Sequence, residues 1–249
     1  MILIKTPEEI EKVRAACKIA ALTLLNLEKH IKEGVTTEEL DRLGEEMIVK
    51  CGGQAAFKGY RGYKHATCIS VNEEVVHGIP GKRKIKEGDI VGMDVGVLLS
   101  GFYGDVARTY PVGRISKKVE QLLKCGWEAL QAGIKNARTG NHLGDISHAI
   151  EERARKEGFS VVRDLFGHGV GRNLHEDPLI PNFGRPGEGP ELYAGMILAI
   201  EPMINLGGSR IVTLSDGWTV VTEDRSLSVH FENTILITKG EPEVLTSDS

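Results

Sequence analysis

Four acids in this sequence stand where a buried strand would carry Val or Ile. Asp94 lies in Ile90-Val91-Gly92-Met93-Asp94-Val95-Gly96-Val97, and Asp105 follows Gly101-Phe102-Tyr103-Gly104. Glu201 ends Met196-Ile197-Leu198-Ala199-Ile200-Glu201, and Glu232 lies in Val229-His230-Phe231-Glu232-Asn233-Thr234-Ile235. No Lys or Arg interrupts these apolar runs. A buried carboxylate needs a cation, a proton or a dense set of donors. Four on paired strands need a common counter-charge. His168 joins them, in Phe166-Gly167-His168-Gly169-Val170-Gly171, where flanking glycines let the backbone crowd a site. Oxygen ligands with one imidazole suit Mn, Fe, Co or Zn in a catalytic site and suit structural zinc poorly. These ligands exceed the needs of one ion. Two ions about 3.5–4 Å apart, sharing Asp105 and Glu232, would make a two-metal hydrolase centre that activates water near neutral pH. The competing reading, a surface turn with solvated acids, sits badly with the apolar flanks.

Position matters as much as type. A tight turn at Leu99-Ser100, with Gly101 free to take positive φ, predicts a hairpin that sets Asp94 opposite Asp105. Directly opposed residues have Cβ atoms about 5 Å apart, and carboxylates that close repel unless something positive lies between them. Asp105 is expected to bridge both ions and Asp94 to bind one. Two further histidines stand beside Gly and Pro turns: His77 in Val76-His77-Gly78-Ile79-Pro80, and His175 in Gly171-Arg172-Asn173-Leu174-His175-Glu176. A hydrolase needs donors to the scissile carbonyl and its oxyanion, and these two are assigned there. His30, His65, His142, His148 and His230 are read as ordinary surface or core histidines.

The elements follow from pattern and punctuation. Thr6-Pro7-Glu8-Glu9 and Thr36-Thr37-Glu38-Glu39 are capping boxes. The first helix carries Ile10, Val13, Cys17, Ala20, Leu24, Leu27 and Ile31 on one stripe and stops at Gly34. The second ends at Gly52-Gly53. Ser116 starts a third helix, and Asn141 a fourth that ends at Gly158. Strands are expected at 159–162, 196–204, 211–214, 218–222 and 228–237. A rhythm links the halves: the interval Gly34–Gly52 matches Gly140–Gly158, and Gly88 precedes Asp94 as Gly195 precedes Glu201. The repeat predicts two helix-helix-strand units, about 6–112 and 116–237, facing each other across a pseudo-twofold axis. That is an α+β architecture.

Composition closes off other classes. A net charge of −4 with 41% apolar residues gives no footprint for nucleic acid or an anionic membrane. No run approaches the roughly 18 apolar residues of a spanning helix, and the acid-rich start Met1 to Glu9 is no signal peptide. Cys17, Cys51, Cys68 and Cys125 form no C-x-x-C pair and read as reduced thiols of a cytoplasmic protein.

These motifs, together with Ser70-Val71-Asn72-Glu73-Glu74-Val75-Val76-His77-Gly78-Ile79-Pro80 and Ile200-Glu201-Pro202-Met203, closely resemble those of the type I methionine aminopeptidases. The match runs from Thr6 to Leu245. The resemblance implies a pita-bread (creatinase/aminopeptidase-like) fold, with a curved antiparallel sheet inside and helices outside, in a single catalytic domain spanning 1–249. It implies removal of the initiator methionine from nascent chains at the ribosome when the second residue is small, by a cytoplasmic monomer.

Carried over by position, the resemblance gives one divalent ion to Asp94, Asp105 and Glu232. It gives a second to Asp105, His168, Glu201 and Glu232, the ions being Co, Mn, Fe or Zn. Glu201 becomes the general base. His77 and His175 contact substrate, and Phe57, Tyr60, Tyr63, Cys68, Leu174 and Trp218 line the methionine pocket. Asn72 and Ser228 match a site for one Na or K ion. Phe57, Leu174 and His230 stand where some relatives have Cys, Phe and Gln. The sequence shows neither an N-terminal zinc-finger extension nor a long insertion between Glu201 and Glu232, as in the short bacterial form. The competing expectations are an X-Pro-type pita-bread peptidase and a pita-bread binding module without metals. The complete ligand set argues against the second.

Overall fold

Thr6 accepts from the Glu9 amide through its side chain, Glu9 reaches back to the Thr6 amide, and Pro7 takes the first helical position. In the computed structural model, which describes residues 2–247, the helix so started is α1 (Pro7–Glu28). Thr36 and Glu39 start α2 (Thr37–Lys50) by the same reciprocal bonds. Next come β1 (Gln54–Ala55), a 3₁₀ turn (Tyr60–Gly62), β2 (Cys68–Val71), β3 (Glu74–Val76), and the long hairpin β4 (Ile90–Leu99) and β5 (Phe102–Pro111). Ser116 caps α3 (Lys117–Asn136). The cap of α4 (Leu143–Lys156) is His142, one residue beyond the expected Asn141, because Asp145 accepts from the His142 amide. The second half continues with β6 (Ser160–Val161), β7 (Phe166–Gly169), β8 (Glu176–Pro181), β9 (Ile197–Ile200), β10 (Met203–Asn205), β11 (Ile211–Thr213), β12 (Val220–Thr222), β13 (Ser228–His230), β14 (Glu232–Leu236) and β15 (Glu243–Val244). The apolar residues Ile2-Leu3-Ile4 that precede the first capping box, at most a short edge strand by pattern, form no strand.

Two expected strands are each broken in two. The run 196–204 splits into β9 and β10 at Glu201-Pro202, where proline supplies no N–H to the ladder. The run 228–237 splits into β13 and β14 at Phe231, whose amide donates to the Pro202 carbonyl. Strand β8 has no counterpart in the sequence reading, since Pro178 and Pro181 argue against a strand; it survives at the sheet edge.

The main sheet has the antiparallel order β1-β4-β5-β14-β9-β7-β8, with β2 also on β4 and β15 also on β14. Residues alternate between its faces. Val91, Met93, Val95, Val97 and Val106 pack with Ala20, Leu24 and Leu27 of α1 and with Leu40 and Ile48 of α2. Leu198, Ile200 and Ile235 pack with Leu122, Leu130, Ile146 and Ile150 of α3 and α4. Helices therefore cover one face, and the opposite parity (Asp94, Asp105, Glu232) faces away from them. Backbone bonds recur between the halves. Gly34 donates to the Ile85 carbonyl as Gly140 does to Leu192, and Gly88 donates to Val112 as Gly195 does to Ile237. Thr36 bridges Lys84 as His142 bridges Glu191.

Candidate active site

The hairpin turns at Ser100-Gly101, both left-handed with φ of 51° and 80°, one residue later than the sequence reading set it. Two-residue turns of this kind suit the strand twist. The shift moves every pairing: Asp105 lies opposite Gly96, and Asp94 opposite Ala107. The aspartates are thus diagonal rather than directly opposed, still on one face and within reach. Glu232 pairs with Ala107, and Asn233 with both Val106 and Ile200, so Asp94, Glu232 and Glu201 fall in one row across the sheet. The neighbouring row holds Asp105, Thr234, Ala199 and His168: Ala199 pairs with Thr234 and with His168. The Thr234 hydroxyl donates to the Asp105 carbonyl at 2.8 Å. Strands β4, β5, β14 and β7 each give one side chain, and Glu201 leaves the end of β9.

Asp105, His168 and Glu232 bring ligand atoms within 4.8 Å of one another. The His168 Nε2 is 3.5 Å from Glu201. Its Nδ1–H donates to the Gly169 carbonyl at 2.9 Å, leaving the Nε2 lone pair directed at the acids. Asp94 Oδ1 and Asp105 Oδ1 are buried without a hydrogen-bond partner. Unsatisfied carboxylate oxygens crowded together are what a divalent cation takes as ligands, so the donor set fits the metals expected of it. Burial is the first cause pushing all four acids up: Asp94 and Glu201 to about 7, Asp105 and Glu232 well above their ordinary range. The neighbouring acids add to the shift at Asp94, Asp105 and Glu232.

One cavity of about 140 Å³ is lined by Asp94, Asp105, His168, Glu201 and Glu232 together with His77, His175, Phe57, Tyr60, Tyr63, Cys68, Leu174 and Trp218. It has about the volume that accepts a benzene-sized group. Phe57 lies over Gly96, where a Cβ would come within 2.4 Å of its ring. The Tyr63 hydroxyl donates to the Thr67 and Gly78 carbonyls, and its ring meets Trp218 edge-on at 5.0 Å. The His175 ring lies 4.3 Å from that of His168, and its Nδ1 is 2.8 Å from the Tyr60 hydroxyl. Desolvation holds His77 down to about 4, and it also lowers His175, with His168 adding to that shift. Both imidazoles are neutral at pH 7.

Asn72 and Ser228 also meet: the Ser228 amide donates to the Asn72 carbonyl at 2.9 Å. Their side chains are engaged elsewhere, Asn72 with Asp89 and the Ile90 amide, Ser228 with Asn205.

Two residues of the site escaped the sequence reading. His230 is no packing histidine. Its buried Nε2 lies 3.4 Å from Glu201 and makes no hydrogen bond. Its place two residues before Glu232 was the available signal. Arg61 lines the cavity mouth with a left-handed φ of 48°; nothing in the Gly- and Tyr-rich segment around it marked it out.

A carboxylate and imidazole cluster on a curved antiparallel sheet, beside an apolar pocket, defines a metallopeptidase of the pita-bread class. Residues 11–239 match the metallopeptidase family M24. Methionine aminopeptidase from Clostridium perfringens is 52% identical over 246 residues, 99% of each chain. Methionine aminopeptidase 1 from Bacillus subtilis is 51% identical with the same coverage. The crystal structure of methionine aminopeptidase from Thermotoga maritima superposes with a TM-score of 0.98 at 52% identity, covering all of both chains. Prolidase from Pyrococcus furiosus reaches 0.81 at 26% identity, covering 99% of this chain but 66% of its own. The chain belongs to family M24, on its type I methionine aminopeptidase branch. No helix among the described residues is long and apolar enough to cross a membrane.

Proposed function

We propose that this enzyme removes the N-terminal methionine from nascent polypeptides with a small second residue, acting in the cytoplasm at the ribosome as a monomer built from one catalytic unit, residues 1–249. The observation that carries the reading is the juxtaposition of unsatisfied buried carboxylates with a small aromatic pocket. Asp94, Asp105 and Glu232 would hold one divalent ion, and Asp105, His168, Glu201 and Glu232 another, drawn from Co, Mn, Fe or Zn. When bound, such ions supply Lewis acidity and water activation near neutral pH.

The chain's own groups do the rest. Glu201 accepts the proton of the attacking water on a carboxylate oxygen and passes it to the leaving amine. With Tyr60 donating to His175 Nδ1, neutral His175 carries its proton on Nε2 and donates it as a hydrogen bond to the oxyanion; His77 serves the substrate carbonyl from the opposite half. Phe57, Tyr60, Tyr63, Cys68, Leu174 and Trp218 enclose the thioether, which gains from aromatic contact. A Na or K ion near Asn72 and Ser228 would use main-chain oxygens, since both side chains are committed.

The test is methionine release from Met-Ala-Ser by protein purified without chelator and reconstituted with each metal, beside turnover of an X-Pro dipeptide. Methionine release with no X-Pro turnover is expected. X-Pro turnover without methionine release would establish the prolidase-like alternative.

A further inference from the structure

The loop between β7 and β8 carries Leu174 and His175, and its shape is set from outside. Glu176 Oε1 accepts from the Arg172 and Asn173 amides at 2.8 and 3.0 Å. Glu176 Oε2 lies 2.6 Å from Lys5 Nζ, with side-chain exposures of only 4% and 3%. Exposed ion pairs contribute little. A buried pair is different: removing one partner strands a charge, and the other must move to reach water. The Lys5 stem lies against Gly171, where a Cβ would come within 2.3 Å of Lys5 Cε. The Lys5 amide donates to the Gly195 carbonyl at 2.9 Å, at the turn leading into β9 and Glu201. A second contact joins Arg172 Nε to Glu9 at 2.6 Å. Lys5, just before α1, and Glu9, in its first turn, therefore strap the start of the first half onto two pieces of the second half's site.

We propose that Lys5 is a positioning residue for catalysis: through Glu176 it fixes the loop that presents His175 and Leu174 to the substrate. This rests on the assignment of His175 to the oxyanion. Displacing a catalytic group by about 1 Å can lower the rate by up to ~100-fold.

The test compares wild type, Lys5→Met, His175→Ala and the double variant in metal-reconstituted protein on Met-Ala-Ser, with metal content, kcat and KM measured for each. Hydrogen exchange at the Arg172 and Asn173 amides is followed in parallel. Lys5→Met is expected to lower kcat roughly 10- to 100-fold at unchanged metal content, to speed exchange at both amides, and to add little in the His175→Ala background, because residues acting as a unit are non-additive. Multiplying effects, an unchanged kcat, or unchanged exchange at the two amides would overturn it. A wild type that releases no methionine would sink the functional reading instead, and the exchange measurement would still decide whether Lys5 holds the loop. If Lys5→Met does not fold, Glu176→Gln, which keeps the volume and an acceptor for both amides, carries the same test. Failure of both to fold would make the pair a general folding element and overturn the proposal.

Discussion

Glu201 leaves β9 with His168 at 3.5 Å on one side and His230 at 3.4 Å on the other. Its assignment as general base has a kinetic signature: Glu201→Gln should lower kcat by roughly 10²–10⁴-fold with KM little changed, and a variant with wild-type turnover rejects the role. The raised carboxylates also make a statement about the metal-free protein. Asp94 and Glu201 sit near 7 when folded, against about 3.9 and 4.3 unfolded. Between those limits the folded state binds more protons than the unfolded one, so stability falls as pH rises from about 4 to about 7. Thermal melts of metal-free protein should show that decline, and metal-loaded protein should lose it. A melting temperature that rises with pH in the metal-free form would contradict this account of the acids. These residues were legible because each broke an apolar run. His230 was only faintly legible: its place two residues before Glu232 puts it near the acids, but its contact with Glu201 depends on how the strands pack.

At the scale of elements, capping boxes and helical stripes were readable because their signals are local, while register was not. One residue in the placement of a turn moved Asp105 from opposite Asp94 to opposite Gly96, since each step along a hairpin re-pairs the whole ladder. The break at Phe231 likewise depends on what lies alongside, the Pro202 carbonyl, whereas the break at Pro202 follows from the proline itself. The diagonal arrangement leaves the aspartates their unequal expected roles. Titration should find Asp94→Asn weakened at one metal site and Asp105→Asn damaged at both; equal loss would discard the bridging role of Asp105. Element packing also reaches the site through Gly104, where a Cβ would come within 2.4 Å of the Cys17 amide in α1. Gly104→Ala should therefore push β5 off the helix, costing about 1–3 kcal/mol in denaturant melts and loosening metal held by Asp105. Neutral stability would mean that α1 can move aside.

Across the whole molecule, the two halves meet in the main sheet along a short seam. The β4–β5 ladder runs the full length of both strands, whereas β5 and β14 share only Glu232–Ala107 and Asn233–Val106. Thr234 extends it by exchanging hydrogen bonds with the Asp105 backbone. Asp94 and Asp105 approach the site from one side of this seam, and His168, Glu201 and Glu232 from the other. A cation shared among them would tie together strands that the ladder joins weakly, and would neutralise acids that otherwise repel across the seam. Metal binding only to the folded state should stabilise it by RT ln(1 + [L]/Kd), about 2.7 kcal/mol at a free metal concentration 100 times Kd. The gain should be local as well as global. On chelation, amide exchange should accelerate more in β5, β14 and β9 than in α3, which packs on the opposite face of the sheet. A rise in melting temperature with uniform protection would show that metal merely stabilises the fold. No rise at all would mean that the metal does not bind the folded state in preference to the unfolded one, and the seam would then be held by Thr234 and the packing of the flanking helices.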